Sequence, residues 1–207
     1  MFSGEMLDGL RERVSRSMSE YRFVHTASVE EMAARIGELY APQSIPVLRA
    51  AALLHDITKE LSFTEQIALC ESEGIELAPW DIKAPKTLHA MTAPAVIKKS
   101  YPEFAHPSVL SAVRWHTTGR ENMSLEEKII FISDYIDMSR TFEDCVTLRN
   151  YFWDAHPGDM SPDMRMTHLD NTLIKGFDLT LGLLVEEGSP ISPYTVSARN
   201  FLIDGRE

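Results

Sequence analysis

The run VLRAAALLHD, residues 47–56, is almost wholly apolar until it ends in His55 and Asp56. An imidazole and a carboxylate in a buried setting cost several kcal/mol unless they are paired or bind a metal. Asp134 poses the same problem, as a carboxylate set among Ile and Phe in IIFISDYI. His25 joins them by helical spacing, because the face formed by Val29, Met32, Ala33, Ile36 and Tyr40 extends back one turn to this imidazole. Neutral imidazole and carboxylate donors suit a first-row metal such as iron, manganese or zinc better than calcium. Plainer readings exist for two of them: a satisfied core histidine for His25 and a solvent-side carboxylate for Asp134. What favours a shared metal site is their order along the chain, His25, then His55-Asp56, then Asp134.

Other residues could act beside such a metal. Lys59 follows His55 at i+4 spacing, so a continuing helix would put its ammonium on the same face, where it could meet phosphate oxygens. Arg120 follows Gly119 in a short loop, and a planar guanidinium there could take a phosphate bidentately. A solvated surface cation is the alternative for both. His116 continues the apolar face of Val109, Ala112 and Val113, and the neighbouring Trp115 could line a nucleoside pocket, although core packing is the commoner use of an indole. His106, His156 and His168 stand beside Pro107, Pro157 and Thr167 and read as structural or exposed.

The elements that must position these groups read as helices throughout. Pro46 can open the helix that ends at His55. Ser62 with Glu65, and Ser124 with Glu127, have the spacing of capping boxes, the second opening the helix whose stripe of Leu125, Ile129, Ile132 and Ile136 carries Asp134. Gly74 and Gly119 are candidate helix stops. Between Gly74 and Leu88 the residues Pro79, Trp80 and Pro85 predict a loop. A helix is expected from about Leu88 to Lys99 with its start blurred by Pro94, another from Pro107 to His116, and one near Phe142 to Phe152. After a loop, HPGDMSPD, a long helix around Leu169 to Val185 and a short one from Tyr194 complete the chain. The prediction is an all-α, single-domain helical bundle over residues 1–207, with a core about 20–140 and C-terminal helices 142–203 packing on it.

Composition is compatible with this. Apolar residues make up 44% of the 207 and charged residues 25%, as in ordinary globular chains. No stretch approaches the roughly 20 apolar residues a bilayer span needs, and MFSGEMLDGLRERV lacks the basic-then-apolar order of a signal peptide, so a cytoplasmic location is expected. Cys70 and Cys145 have no metal-ligand spacing and read as reduced thiols. A formal charge of -11 argues against a nucleic-acid partner, since phosphate backbones are held largely by Lys and Arg. A small anion held by a metal and a few local cations is still compatible with it.

The pattern His25, His55-Asp56, Asp134 on successive helices resembles the HD superfamily of metal-dependent phosphohydrolases. Its surrounding words are more specific. AALLHDITK (51–59), LHAMTAP (88–94), WHTTGR (115–120), KIIFISDYIDMSR (128–140) and TVSARNFLI (195–203) resemble, in the same order, the YqeK family of bacterial HD-domain proteins. The resemblance covers roughly residues 20 to 203 and implies an HD-type bundle, His25, His55, Asp56 and Asp134 as metal ligands, and iron as the favoured cofactor, with manganese or another divalent first-row ion as the alternative. It also implies symmetrical cleavage of a dinucleoside tetraphosphate substrate, diadenosine tetraphosphate giving two ADP. His89 and His116 fit an extended pattern in which they hold a second metal that shares the central aspartate, or bind phosphate beside a single one. The sequence departs from the family at two points: Ala90, Met91 and Thr92 intervene where Gly-Pro usually follows the histidine at 89, and Met138 replaces a proline before Arg140.

On this reading a metal held by the four ligands makes hydroxide near neutral pH for attack on phosphorus. Asp56, Lys59, His116 and Arg120 would be catalytic, and Lys59, His89, His116, Thr117, Arg120 and Arg140 would contact substrate. Three rivals stand beside it: a phosphohydrolase of another nucleotide or phosphoester, a di-iron oxygenase, and a nucleotide-binding regulator without turnover. A homodimer is compatible with the chain.

Overall fold

The computed structural model describes residues 2–205. Eleven α-helices and no strand occur among the described residues. They are α1 (Gly4–Ser15), α2 (Glu20–Tyr40), α3 (Ile45–Leu54), α4 (Phe63–Ser72), α5 (Pro79–Lys83), α6 (Leu88–Ser100), α7 (Pro107–Trp115), α8 (Leu125–Ile136), α9 (Glu143–Asp154), α10 (Pro162–Glu186) and α11 (Pro193–Asp204).

The most apolar helix is also the central one. Pro46 sits in the first turn of α3, and Leu48 and Ala50 through Leu54 are fully buried. Around it pack α1, α2, α7 and α8. Alanines at 50, 51 and 52 leave little side-chain bulk, which lets these neighbours approach on several sides. One apolar cluster runs from Leu7 and Leu10 on α1, through Ile36 and Leu53, to Phe177 on α10 and Leu202 on α11. The C-terminal part belongs to this cluster, with α10 packed on α8, α9 and α11.

Both expected capping boxes form. Ser62 accepts from the Glu65 backbone at the start of α4, and Ser124 from that of Glu127 at the start of α8. Gly74 and Gly119 adopt φ of 63°, the left-handed stop that favours glycine. Gly119 is doubly constrained, because a Cβ there would come within 2.7 Å of the Phe177 ring.

Four local readings differ from the sequence expectation. Helix α1 went unread, although Ser3 caps it and Leu7, Leu10 and Val14 form a buried stripe. The Pro79–Pro85 segment is not a plain loop: Pro79 opens the short helix α5, and a 3-10 turn, Pro85–Thr87, leads into α6. Pro94 lies inside α6 rather than at its edge. Finally, α10 begins at Pro162, well before Leu169, because Ser161 caps it and Pro162 supplies the preset φ of a first helical turn.

Candidate metal centre

Five helices deliver one side chain or more to a single cluster. His25 comes from the second turn of α2, Asp134 from the last turns of α8, and His89 from the start of α6. His55 and His116 occupy the same station on two different helices, the C-cap of α3 and of α7. Each folds back on its own helix: His55 Nδ1 donates to the Ala52 carbonyl at 2.6 Å, and His116 Nδ1 to the Val113 carbonyl at 2.7 Å. A carbonyl can only accept, so the proton is on Nδ1, and Nε2 of each ring is turned inward as a lone-pair donor.

Asp56 lies at the middle of the cluster. Its Oδ2 is 3.5 Å from His55 Nε2 and 3.8 Å from His25 Nε2, while its Oδ1 is 3.1 Å from His89 Nε2 and 3.8 Å from His116 Nε2. Asp134 Oδ1 completes the first half, 3.0 Å from His25 Nε2 and 3.7 Å from His55 Nε2. The two halves thus share one carboxylate. Behind His25, Asp137 Oδ2 lies 3.3 Å from Nδ1.

These residues suit a metal ion. The Nε2 atoms of His25 and His55 are buried and make no hydrogen bond, a costly state for polar atoms that converge on a common point without bonding one another. His25, His55 and Asp134 form one group whose donor atoms lie within 4.8 Å of each other, and His55, Asp56 and His116 form another. Imidazole nitrogen with carboxylate oxygen is the donor set of iron, manganese and zinc.

The electrostatics agree with that donor set. Burial pushes the pKa of His55 down to about 4 and that of His89 down to about 3, which keeps both rings neutral at pH 7. Burial also opposes ionisation of Asp56 and Asp134, yet the histidines around Asp56, and Arg140 with His25 around Asp134, outweigh it and hold both carboxyls well below their usual range. Neutral imidazoles and ionised carboxylates are the forms that bind metal. His25 behaves differently: burial disfavours its cation, but Asp134 and Asp137 prevail and lift its pKa to about 9.

A cleft of about 330 Å³ opens above the first half. Its floor is His25, Asp56 and Asp134, and three cations enter from the walls. Arg22 Nη1 is 2.7 Å from Asp56 Oδ2, and Arg140 Nη2 is 2.6 Å from Asp134 Oδ1. Lys59 Nζ lies over the His89 ring, 3.3 Å from Nδ1 and 3.2 Å from Nε2, and burial lowers its pKa. A larger groove of about 580 Å³ between α9 and α10 contains none of the clustered histidines.

The sequence reading missed Arg22 and Asp137. Arg22 stands one turn before His25 on α2, and that spacing was the available signal. Three residues singled out from sequence lie elsewhere. Arg120 does not line the cleft: its Nε and Nη2 bond the buried Glu127 carboxylate at 3.2 and 3.0 Å, tying it to the cap of α8. Thr117 faces a separate cavity of about 370 Å³ together with Thr118 and Thr195. Trp115 packs edge-on against Tyr194 with Arg114 over its ring, away from the cleft. Among the remaining histidines, His168 is buried and donates to the Phe152 carbonyl, and His106 caps α7. Cys70 and Cys145 are free thiols.

An all-helical bundle whose helix ends converge His, His-Asp and Asp on one point is the arrangement of the HD domain. Residues 22–139 match the HD domain family model, and the chain belongs to that family. Over 192 residues, 92% of this chain and 93% of the relative, it is 30% identical to the symmetrical bis(5'-nucleosyl)-tetraphosphatase of Halalkalibacterium halodurans. It is 27% identical to the protein of the same name from Bacillus subtilis, over 93% of this chain and 95% of that one. A solved structure from Clostridium acetobutylicum, described as a predicted HD superfamily hydrolase involved in NAD metabolism, superposes with a TM-score of 0.82 at 32% identity and covers both chains fully. The YqeK-type resemblance read from the sequence words is borne out by these relatives.

Proposed function

We propose that this chain is a metal-dependent phosphohydrolase that cleaves diadenosine tetraphosphate symmetrically to two ADP. One observation carries the reading: a carboxylate, Asp56, shared by two sets of buried histidines at the floor of a cleft walled by Arg22, Lys59 and Arg140. The names of the relatives specify the substrate. His25, His55, Asp56 and Asp134 would hold the first metal, and His89 and His116 would hold a second with Asp56. Iron is the proposed ion, with manganese the alternative for the same donors. The metal supplies Lewis acidity and a lowered pKa for water, hence a hydroxide nucleophile near neutral pH.

The protein's own groups do the rest. Arg22, Lys59 and Arg140 offset the negative charge of the phosphates, whose field would otherwise be repelled by a chain of net charge -11. Asp56, held ionised, accepts hydrogen bonds and orients what lies between the two halves. His116 presents Nε2 inward in a fixed tautomer, as a ligand of the second metal or, beside a single metal, as a proton acceptor. Attack between the second and third phosphates releases ADP, a stable anion that needs no strong general acid. Arg120 serves this reading indirectly, by holding Glu127 at the start of the helix that carries Asp134.

We take residues 1–207 as one functional HD domain, supported by the single apolar cluster that joins α1 to α11. We assign it to the cytoplasm; among the described residues no helix is long and apolar enough to cross a membrane. The deciding experiment is chromatography of products from diadenosine tetraphosphate, run with metal-loaded protein of measured metal content. ADP alone is expected. ATP with AMP, or no turnover by fully loaded protein, overturns the proposal.

A further inference from the structure

Two of the most exposed large side chains in the molecule stand on the rim of the metal cleft. Tyr21 is 80% exposed and Phe142 70% exposed, and both line the same cavity as His25, Asp56 and Asp134. Neither belongs to the apolar cluster that holds the helices together, nor to the residues packed against it. They come from separate elements: Tyr21 lies in the first turn of α2, beside Arg22, and Phe142 is the N-cap of α9, two residues after Arg140. Each ring thus stands one or two residues along the chain from one of the guanidinium groups in the cleft wall. Leaving two aromatic faces in water forgoes favourable burial, and here no other part of the protein covers them.

We propose that Tyr21 and Phe142 stack a nucleobase of the substrate while Arg22, Lys59 and Arg140 hold its phosphates. This rests on the reading that a nucleotide's phosphates occupy the cleft. The chemistry of the rim matches that of a nucleotide: cations and metal ligands at the base for the anionic chain, and flat π faces at the mouth for the ring. Stacking needs no hydrogen bond to the base edge, so the rim tolerates different bases. It also explains why a cleft with so few apolar residues on its floor has aromatic lips. Tyr21 and Phe142 are positioning residues for the distal part of the ligand and touch no reacting atom.

The test is calorimetric titration of metal-loaded protein with ADP and, separately, with inorganic pyrophosphate, which has the phosphates without the base. Tyr21→Ala and Phe142→Ala are each expected to weaken ADP binding by roughly ten-fold, the size of one lost stacking contact, and to leave pyrophosphate binding unchanged. Tyr21→Phe and Phe142→Tyr should restore it. Both alanine positions are exposed, so thermal melting should match the unaltered protein. Equal loss for ADP and pyrophosphate, no loss for either, or an unaltered protein that binds ADP no better than pyrophosphate overturns the inference. So does a change of mass in light scattering with ADP affinity intact, which would make the rim a protein contact. Base-dependent binding without cleavage of diadenosine tetraphosphate would sink the proposed reaction and leave the stacking assignment standing.

Discussion

Asp137 stands behind the cluster, with one carboxylate oxygen 3.3 Å from His25 Nδ1 and 3.4 Å from Arg140 Nε, and the other bonded to Ser139. A carboxylate behind a ligand imidazole fixes its ring and raises its basicity, and losing one typically costs about 10–100-fold in metal affinity. Asp137→Asn should show a loss of that size in competition with a chromophoric chelator. Asp56→Ala should do worse, since its two oxygens serve both halves: metal analysis is expected to show the sites depleted and product chromatography no ADP. Arg22→Met separates binding of substrate from binding of metal. Its guanidinium bonds Asp56 Oδ2, so the variant should raise KM roughly ten-fold or more while metal content is kept. A fall in metal content with KM unchanged would assign Arg22 to the metal shell instead. Of the four proposed ligands, His55, Asp56 and Asp134 were legible as polar interruptions of apolar runs, and His25 by helical spacing and by the order of the four along the chain. Arg22 and Asp137 were harder to read: Arg22 had only its one-turn spacing from His25, Asp137 had no signal, and a charged residue near a helix start or just past a helix end is usually solvated.

Helix ends set the geometry here, so element-scale substitutions should act through them. Gly119 stops the α7 turn at φ of 63°, and a Cβ on it would meet Phe177 at 2.7 Å and Ala198 at 3.2 Å. Gly119→Ala should therefore cost about 1–3 kcal/mol in urea unfolding, from overpacking together with left-handed strain. Helices opened by a capping box or a first-turn proline, α3, α4, α7 and α8, were read from sequence close to their observed bounds, whereas α2 was read only from His25 onward and its cap, Ser19, was missed. The early start of α10 was written in Ser161-Pro162, but the proline-rich segment before Leu169 looks like a loop when its cap is overlooked. Helix α5, Pro79–Lys83, is too short for periodicity to register.

At the scale of the whole molecule, the buried titratable groups make stability depend on pH. His55 and His89 are held neutral, with pKa values of about 4 and about 3 against an ordinary 6.5. Between those values the unfolded chain binds more protons, so their contribution is complete above about 6.5 and is lost as the pH falls through about 4 for His55 and about 3 for His89. Asp56 and Asp134, depressed in pKa, act in the same direction. His25 has the opposite sign: raised to about 9, it stabilises below its ordinary pKa, and that contribution is lost as the pH climbs through 9. Metal-free protein, kept in chelator, should thus show a Tm that declines on both sides of neutrality. A Tm that rises on acidification from pH 6.5 contradicts this. Adding back the metal should raise Tm at neutral pH, because only the folded chain offers the assembled site.

Helices α3 and α7 each end on a histidine that bonds back to a carbonyl of its own last turns. Such terminal carbonyls need a partner when buried, so the rings whose Nε2 atoms face the cluster also finish the helices. Losing either imidazole then uncovers a main-chain acceptor in the core as well as removing a proposed ligand. A descendant of this chain that gave up hydrolysis would still be under selection to keep His55 and His116 for folding. In relatives of this kind, the presence of those two histidines is a weaker sign of retained catalysis than the presence of His25 and Asp134.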